Sequence, residues 1–194
     1  MGLSIHYSGS IKLHTMIDDL VDEVSDICKS FGWTYHLFDG NNADKIKGIC
    51  FSPQNCEPIF LTFLPKGRMW SPVNLSNKDI YKENGLDEQL LFTTSTKTQF
   101  AGPNVHMAII RLLLYLKQRY FAIFELDDEG KYWETMDEEI LLKQFARYDY
   151  LLNAVAEVLS SVKAIPGETT QSLAERMEQL LNKKLALNSC KSKT

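Results

Sequence analysis

Residues 101–118 read AGPNVHMAIIRLLLYLKQ and form the most apolar stretch of the chain, so the fold is inferred outward from them. Pro103 suits the first position of a helix, where its missing N–H has no intrahelical partner to lose, and Gly102 permits an unusual backbone turn before it. Apolar residues cover most of this helix, and the remaining polar line consists of Asn104, Arg111 and Gln118. A helix that is apolar nearly all round is an interior helix, so we predict that residues 103–118 lie between a sheet and other helices.

Segments rich in β-branched and aromatic residues lie on both sides of this helix and predict short strands. These segments are residues 3–8, 33–39, 46–52, 58–64, 90–100 and 120–126. Short turn-forming connections in the first half of the chain favour antiparallel neighbours. Apolar residues at steps of three and four predict further helices over 13–31, from a Thr135–Glu138 capping box to about 162, and over 170–186.

These elements predict an α+β fold with a mainly antiparallel sheet of five to six strands, covered by three helices, and an additional C-terminal amphipathic helix. Residues 1–165 are expected to form a single α+β domain, residues 166–187 a C-terminal helical appendage, and residues 188–194 a disordered tail. The narrow apolar stripe of residues 170–186 suits either docking onto the body of the protein or a homodimer with a second copy.

The composition limits the classes of function. The chain has 194 residues, of which 44% are hydrophobic and 24% charged, and this is typical of a globular protein. Its net charge of −4 and the lack of a basic cluster argue against nucleic-acid binding. The longest apolar run is too short to span a bilayer, and the N-terminal residues lack the pattern of a signal peptide. We therefore expect a cytoplasmic protein that is not bound to a membrane.

The four cysteines form no C-x-x-C pair, and no metal site and no cofactor are expected from them. Cys50 and Cys56 flank a predicted turn, so a disulfide between them is geometrically conceivable, although a reduced cytoplasmic protein is expected to keep free thiols.

His106 shares a helix face with Ile110 and Leu113, so we predict that its ring points inward. A buried imidazole near a helix N-terminus is expected to be neutral, and a neutral histidine can act as a general base or metal ligand. Residues 127–134 form an acidic turn that supplies Asp128 and Glu134 as candidate catalytic partners. If the strand from 120 lies beside the strand ending at 100, this turn and the helix start meet at the carboxyl ends of both strands. The other interpretation is a core histidine that one carboxylate or backbone carbonyl satisfies.

Two acidic surfaces are candidates for binding a partner. The first is the polar face of the helix over 13–31, which carries Asp18, Asp19, Asp22, Glu23 and Asp26. The second is the acidic turn, where carboxylates stand beside aromatic residues, a combination that suits contact with a basic protein. The candidate binding residues are Trp70, Asp127, Asp128, Glu129, Tyr132 and Trp133. Trp70 lies in the polar stretch 65–88, which is predicted to be either a lid packed on the core or a binding loop.

The sequence contains no nucleophile elbow, phosphate-binding loop, dinucleotide-binding fingerprint or zinc-protease motif. Our first hypothesis is therefore a non-enzymatic protein-binding module, an adaptor or an immunity-type inhibitor, that uses acidic surfaces to bind a basic protein. The alternative hypothesis is a small-molecule or metal-dependent enzyme with its site at His106 and the acidic turn 127–134.

Overall fold

The computed structural model describes residues 2–41, 45–73, 92–163, 165 and 167–191, with side chains described up to Lys184. Within those residues it contains six strands and five helices. The strands are β1 (Ser4–Ile11), β2 (Thr34–Asp39), β3 (Lys47–Ser52), β4 (Ile59–Phe63), β5 (Thr94–Lys97) and β6 (Phe121–Asp128). The helices are α1 (Met16–Phe31), α2 (Pro103–Tyr120), α3 (Tyr132–Thr135), α4 (Glu138–Ser161) and α5 (Thr170–Lys191). The predicted α+β class is confirmed.

The strands form two antiparallel sheets of three, ordered β5-β1-β6 and β2-β3-β4. The prediction of one sheet of five to six strands was therefore wrong, although the antiparallel pairing was right. The segment 68–70 gives the physical reason. Met69 N donates to Gly9 O of β1, and Trp70 N donates to Thr62 O of β4, each at 2.9 Å. Because this segment bonds to a strand of each sheet, it takes up backbone groups that direct β1–β4 pairing would need.

Helix α1 packs on the β2-β3-β4 sheet through the apolar stripe that its sequence predicts. Leu20, Val24 and Cys28 have no exposed surface. Gly32 ends the helix in the left-handed conformation, with φ 67°, and its N–H bonds back to the carbonyls of the last turn. Glycine is the residue that most readily takes this C-cap conformation, and the cap lets β2 begin at Thr34.

Strands β5 and β6 lie on opposite sides of β1 and are both antiparallel to it. They therefore run parallel to each other, and α2 connects them. The sequence analysis considered these two strands as direct neighbours, but β1 lies between them. Since β5 and β6 still end at the same edge of the sheet, the start of α2 and the residues after β6 come together as the sequence suggests.

Helix α4 begins two residues later than its predicted capping box would place it. Asp137 caps it, because its Oδ1 accepts hydrogen bonds from the N–H groups of Glu139 and Ile140 at 2.8 and 3.3 Å. Thr135 instead ends α3, and its hydroxyl donates to Lys131 O at 2.6 Å. A left-handed residue, Met136, separates the two helices. The capping box is therefore replaced by an aspartate cap.

The chain divides into two compact units, residues 1–145 and 146–194, and the division falls within α4. In the second unit, Arg176 pairs with Glu168 at 2.7 Å, and Val155 and Val158 line a hollow of about 150 Å³ with residues of α5. The predicted domain limits at 165, 187 and 194 stay predictions, as does the homodimer through residues 170–186.

Several predicted features lie partly outside the described residues. The polar stretch 65–88 is described only to Val73, the predicted strand 90–100 only from Phe92, and the predicted tail only to Lys191. Among the helices that the structure describes, none is long and apolar enough to cross a membrane.

Candidate functional site

The ring of His106 points into the protein, as its position in the sequence predicts. Gly102 adopts φ 85° and ψ 169° immediately before α2, and its carbonyl accepts the N–H of His106 at 3.1 Å. Pro103 occupies the start of the helix. The side chain of His106 has no exposed surface and meets the ring of Phe145 edge to face, with centroids 5.8 Å apart.

His106 bridges two polar side chains that lie at the ends of two different strands. Its Nδ1 lies 2.7 Å from the hydroxyl of Thr98, just after β5, and its Nε2 lies 3.1 and 3.2 Å from the two carboxylate oxygens of Asp128 at the end of β6. The structure therefore brings together His106 and Asp128, one of the two candidate partners named from the sequence. Glu134, the other candidate partner, is exposed on α3 and lies 3.8 Å from Lys131.

Asp128 also accepts backbone hydrogen bonds from the segment that follows it. The N–H groups of Gly130, Tyr132 and Trp133 donate to its carboxylate at 2.7, 2.8 and 3.0 Å. Burial alone would raise the pKa of Asp128, but the hydrogen bond and charge of His106 and these N–H groups outweigh it and hold the pKa below its usual range. The ionised carboxylate thus fixes the turn into α3 against the start of α2.

Gly130 is required at this position by space. A Cβ there would stand 2.7 Å from Leu141 Cδ1, 2.9 Å from His106 Nε2 and 3.0 Å from Asp128 Oδ1. The sequence reasoning missed Gly130 and Thr98 as parts of this cluster. A signal for the burial of Asp128 was available, since Phe124, Leu126 and Asp128 alternate along β6 and so share one face.

Chemically, this cluster is a closed hydrogen-bonded network. Neither His106 nor Asp128 has any exposed side-chain surface, so a substrate in solution cannot touch either group while the fold is intact. Within the described residues, no group of three His, Cys, Asp or Glu side chains could hold a metal ion. The geometry therefore supports the interpretation of His106 as a core histidine satisfied by a carboxylate.

The predicted binding residues separate into buried and accessible ones. Asp128, Tyr132 and Trp70 are buried, and a partner cannot reach them. Asp127 is exposed, while Glu129 and Trp133 are half-buried.

Three of these side chains have internal partners. Tyr132 OH accepts from the guanidinium of Arg111 at 2.6 Å, and Glu129 accepts the N–H of Ser4 at 2.7 Å. Lys117 Nζ stands 5.0 Å from the centroid of the Trp133 ring. The acidic turn therefore contributes more to the packing of the fold than to a continuous surface.

The cysteines are free thiols at the three positions whose side chains the structure describes. The disulfide conceivable between Cys50 and Cys56 is not formed. Burial raises the pKa of Cys28 and Cys50 to about 11, and burial together with Glu57 raises that of Cys56 to about 12. Because the thiolate is the reactive form, none of these cysteines is suited to nucleophilic chemistry near neutral pH.

The acidic face of α1 borders an open groove of about 890 Å³ beside the end of α2. Four carboxylates line the groove: Asp19, Asp22, Glu23 and Asp26. Apolar surface from Met16, Ile27 and Phe31 is interleaved with them, and the buried Tyr120 forms part of the wall. The sequence predicted the acidic face, but the contribution of Tyr120 depends on tertiary packing and could not be read from periodicity.

Glu23 is the best anchored of these carboxylates. It accepts hydrogen bonds from the hydroxyls of Tyr115 and Tyr120, and Arg119 Nε lies 3.2 Å from it. Partial burial alone would raise the pKa of Glu23, but the two hydroxyls and the charge of Arg119 outweigh it and lower the pKa. Glu23 therefore stays ionised and ties α1 to α2, while the other three carboxylates are exposed.

No protein-family model, no curated protein and no solved structure matches this chain. The arguments about its function therefore come from its own surfaces and clusters.

Proposed function

We propose that this chain is a non-enzymatic protein-binding module, of the adaptor or inhibitor type, and that the groove beside α1 binds a basic segment of another protein. The observation that carries the proposal is the lining of the groove, four carboxylates with a single cation, Arg119, among the described lining residues. Arg119 is paired with Glu23, and Lys29, from the last turn of α1, is paired with Asp26 at 2.9 Å. Asp19 and Asp22 therefore leave the groove with a net negative charge.

The shape and chemistry of the groove favour a polypeptide over a small molecule. Small-molecule sites are enclosed and mostly apolar, with a few polar groups, whereas this groove is open and carries charge along a helix. Apolar side chains alternate with the carboxylates, and Phe31 at its end is exposed. An amphipathic helix with lysine or arginine on one face matches this combination of apolar and acidic surface.

The alternative, an enzyme with its site at His106 and the acidic turn, gains no support from the geometry, because the network around His106 is closed to solvent. The cytoplasmic location stays a prediction, and it is compatible with the free thiols of the described cysteines.

A synthetic amphipathic helix of lysine and leucine is a direct probe of the groove, with a glutamate–leucine helix of the same pattern as the control probe. The dissociation constant is measured by isothermal titration at low and high salt. We expect the lysine peptide to bind, the affinity to fall as salt rises, and the glutamate peptide not to bind.

Two double variants with the same change of charge locate the binding. Asp19→Asn with Asp22→Asn removes two groove carboxylates and is expected to weaken binding of the lysine peptide at least about fivefold. Asp127→Asn with Glu134→Asn removes two carboxylates of the acidic turn and is expected to leave the dissociation constant unchanged within about twofold. Equal losses in both double variants, or no binding of the lysine peptide to the wild type, would contradict the proposal.

A further inference from the structure

Strand β2 is the open edge of its sheet. It pairs with β3 along its whole length, and in the described part of the chain no other strand or bridge meets its outer side. Five of its six residues are exposed, and the sixth, Phe38, is half-buried. An edge strand presents a row of unpaired backbone N–H and C=O groups, which is a template for pairing with another strand.

The sequence of β2, TYHLFD, lacks the devices that proteins use to block such pairing. It contains no lysine, proline or glycine, and its strand register with β3 shows no bulge. Thr34, Tyr35 and Phe38 are residue types that favour pleated structure. Leu37 and Tyr35, on the face that α1 covers over the neighbouring strands, are 49% and 38% exposed. The strand therefore leaves both its backbone edge and apolar side chains in solvent.

A second copy of β2 complements these features. When two copies pair antiparallel about a twofold axis at His36, Tyr35 faces the partner's Leu37, and Thr34 faces the partner's Phe38. Both exposed apolar residues then form cross-strand pairs, twice over, because of the symmetry. Asp39, the one acidic residue of the strand, lies opposite the partner's Trp33, so no two like charges are brought face to face.

We propose that this chain forms a homodimer in which two β2 strands pair antiparallel about His36 and join the two β2-β3-β4 sheets into one of six strands. The proposal is independent of the acidic groove, whose lining includes no residue of β2.

Cysteine cross-linking tests both the surface and the register. His36→Cys places two thiols directly opposite each other, where the Cα separation of about 4.5–5.5 Å fits a disulfide. Thr34→Cys, on the same face of the same strand, is the matched control, because the two copies of residue 34 are offset by four residues, about 13 Å along the strands. Cys50 is paired with His36 within the chain, so Cys50, Cys56 and Cys190 are first replaced by serine in both variants.

We expect mild oxidation of the full-length chain to yield a covalent dimer from the His36→Cys variant and little from the Thr34→Cys variant or the cysteine-poor parent. A dimer that is seen in solution but does not cross-link through residue 36 overturns the proposal. Equal cross-linking through residues 34 and 36 overturns the register.

Sedimentation equilibrium of the full-length chain gives a second, independent measurement. Leu37→Lys is expected to raise the dimer dissociation constant at least about tenfold, because pairing would desolvate a charge at two symmetry-related sites. Ile123→Lys is the matched control, since Ile123 is 62% exposed on β6, an edge strand of the other sheet, and should leave the constant unchanged. A wild type that is monomeric at all concentrations, or an equal effect of both substitutions on the dissociation constant, overturns the proposal. Unchanged urea midpoints show that both variants fold.

Discussion

Removal of the Asp128 carboxylate should be among the most destabilising single changes in this protein. The carboxylate accepts three backbone N–H groups and faces the buried imidazole of His106. Asp128→Ala leaves all four donors without an acceptor in a site that water does not reach. At about 1 kcal/mol or more for each orphaned donor, the loss of unfolding free energy should be about 3–5 kcal/mol.

Urea unfolding at neutral pH, followed by circular dichroism, measures this loss. Asp127→Ala is the matched control, because it removes the same group from the adjacent, exposed position of β6. The control should change the unfolding free energy by no more than about 0.5 kcal/mol. The reasoning is refuted if Asp128→Ala costs less than about 1 kcal/mol or if the two variants lose the same amount.

The dependence on pH follows from the lowered pKa of Asp128. In the unfolded chain an aspartate has a pKa of about 3.9, and in the folded protein the pKa of Asp128 is lower. Its ionised form therefore stabilises the fold above about pH 4, and this contribution is lost as the pH falls through the lower folded pKa. The stability difference between the wild type and Asp128→Asn should narrow on acidification below about pH 4. A difference that widens would contradict the assigned charge state.

Three further predictions concern other parts of the molecule. Gly130→Ala should lower the unfolding free energy by about 1–3 kcal/mol, because the added methyl group would meet His106 at less than van der Waals distance. An unchanged midpoint of urea unfolding would contradict the tight packing around Gly130. Cys50 and Cys56, with pKa values of about 11 and 12, should react with iodoacetamide at mildly alkaline pH far more slowly in the folded protein than in urea, which mass spectrometry of the labelled chain detects. Glu23→Gln should lose less unfolding free energy than the wild type between about pH 5 and pH 3. The pKa of Glu23 is lowered in the folded protein, so its ionised form stabilises the fold and acid removes that contribution. Parallel curves of unfolding free energy against pH for the two proteins would contradict this.

The sequence was sufficient to predict α2 and the inward direction of His106. All-round apolarity places a helix in the interior whatever surrounds it, and Gly-Pro marks its start independently of tertiary contacts. The pattern also placed the acidic turn near His106, because two strands joined by a single helix end at the same edge of the sheet, but it did not choose Asp128 over Glu134 as the partner.

The arrangement of strands into two sheets could not be predicted in the same way. Alternation of apolar and polar residues shows that a segment is a strand, but it does not show which strand pairs with which. The separation of the sheets depends on backbone hydrogen bonds of the segment 68–70. Backbone N–H and C=O groups are nearly the same in every residue type, so the sequence does not show which of them will pair. For the same reason, the sequence did not distinguish β2 as an open edge from β3, which lies between two partners.

The position of β1 at the centre of its sheet has a consequence for biosynthesis. Its two partners, β5 and β6, follow it in the chain by roughly 80 and 110 residues, so β1 leaves the ribosome long before either can pair with it. At a typical synthesis rate of about 5–20 residues per second, several seconds or more pass before β5 and β6 are made and can pair with β1. During that interval Ile5, Tyr7 and Ile11 have none of their final partners from β5 and β6, and a nascent-chain chaperone that binds short apolar segments would find a target there.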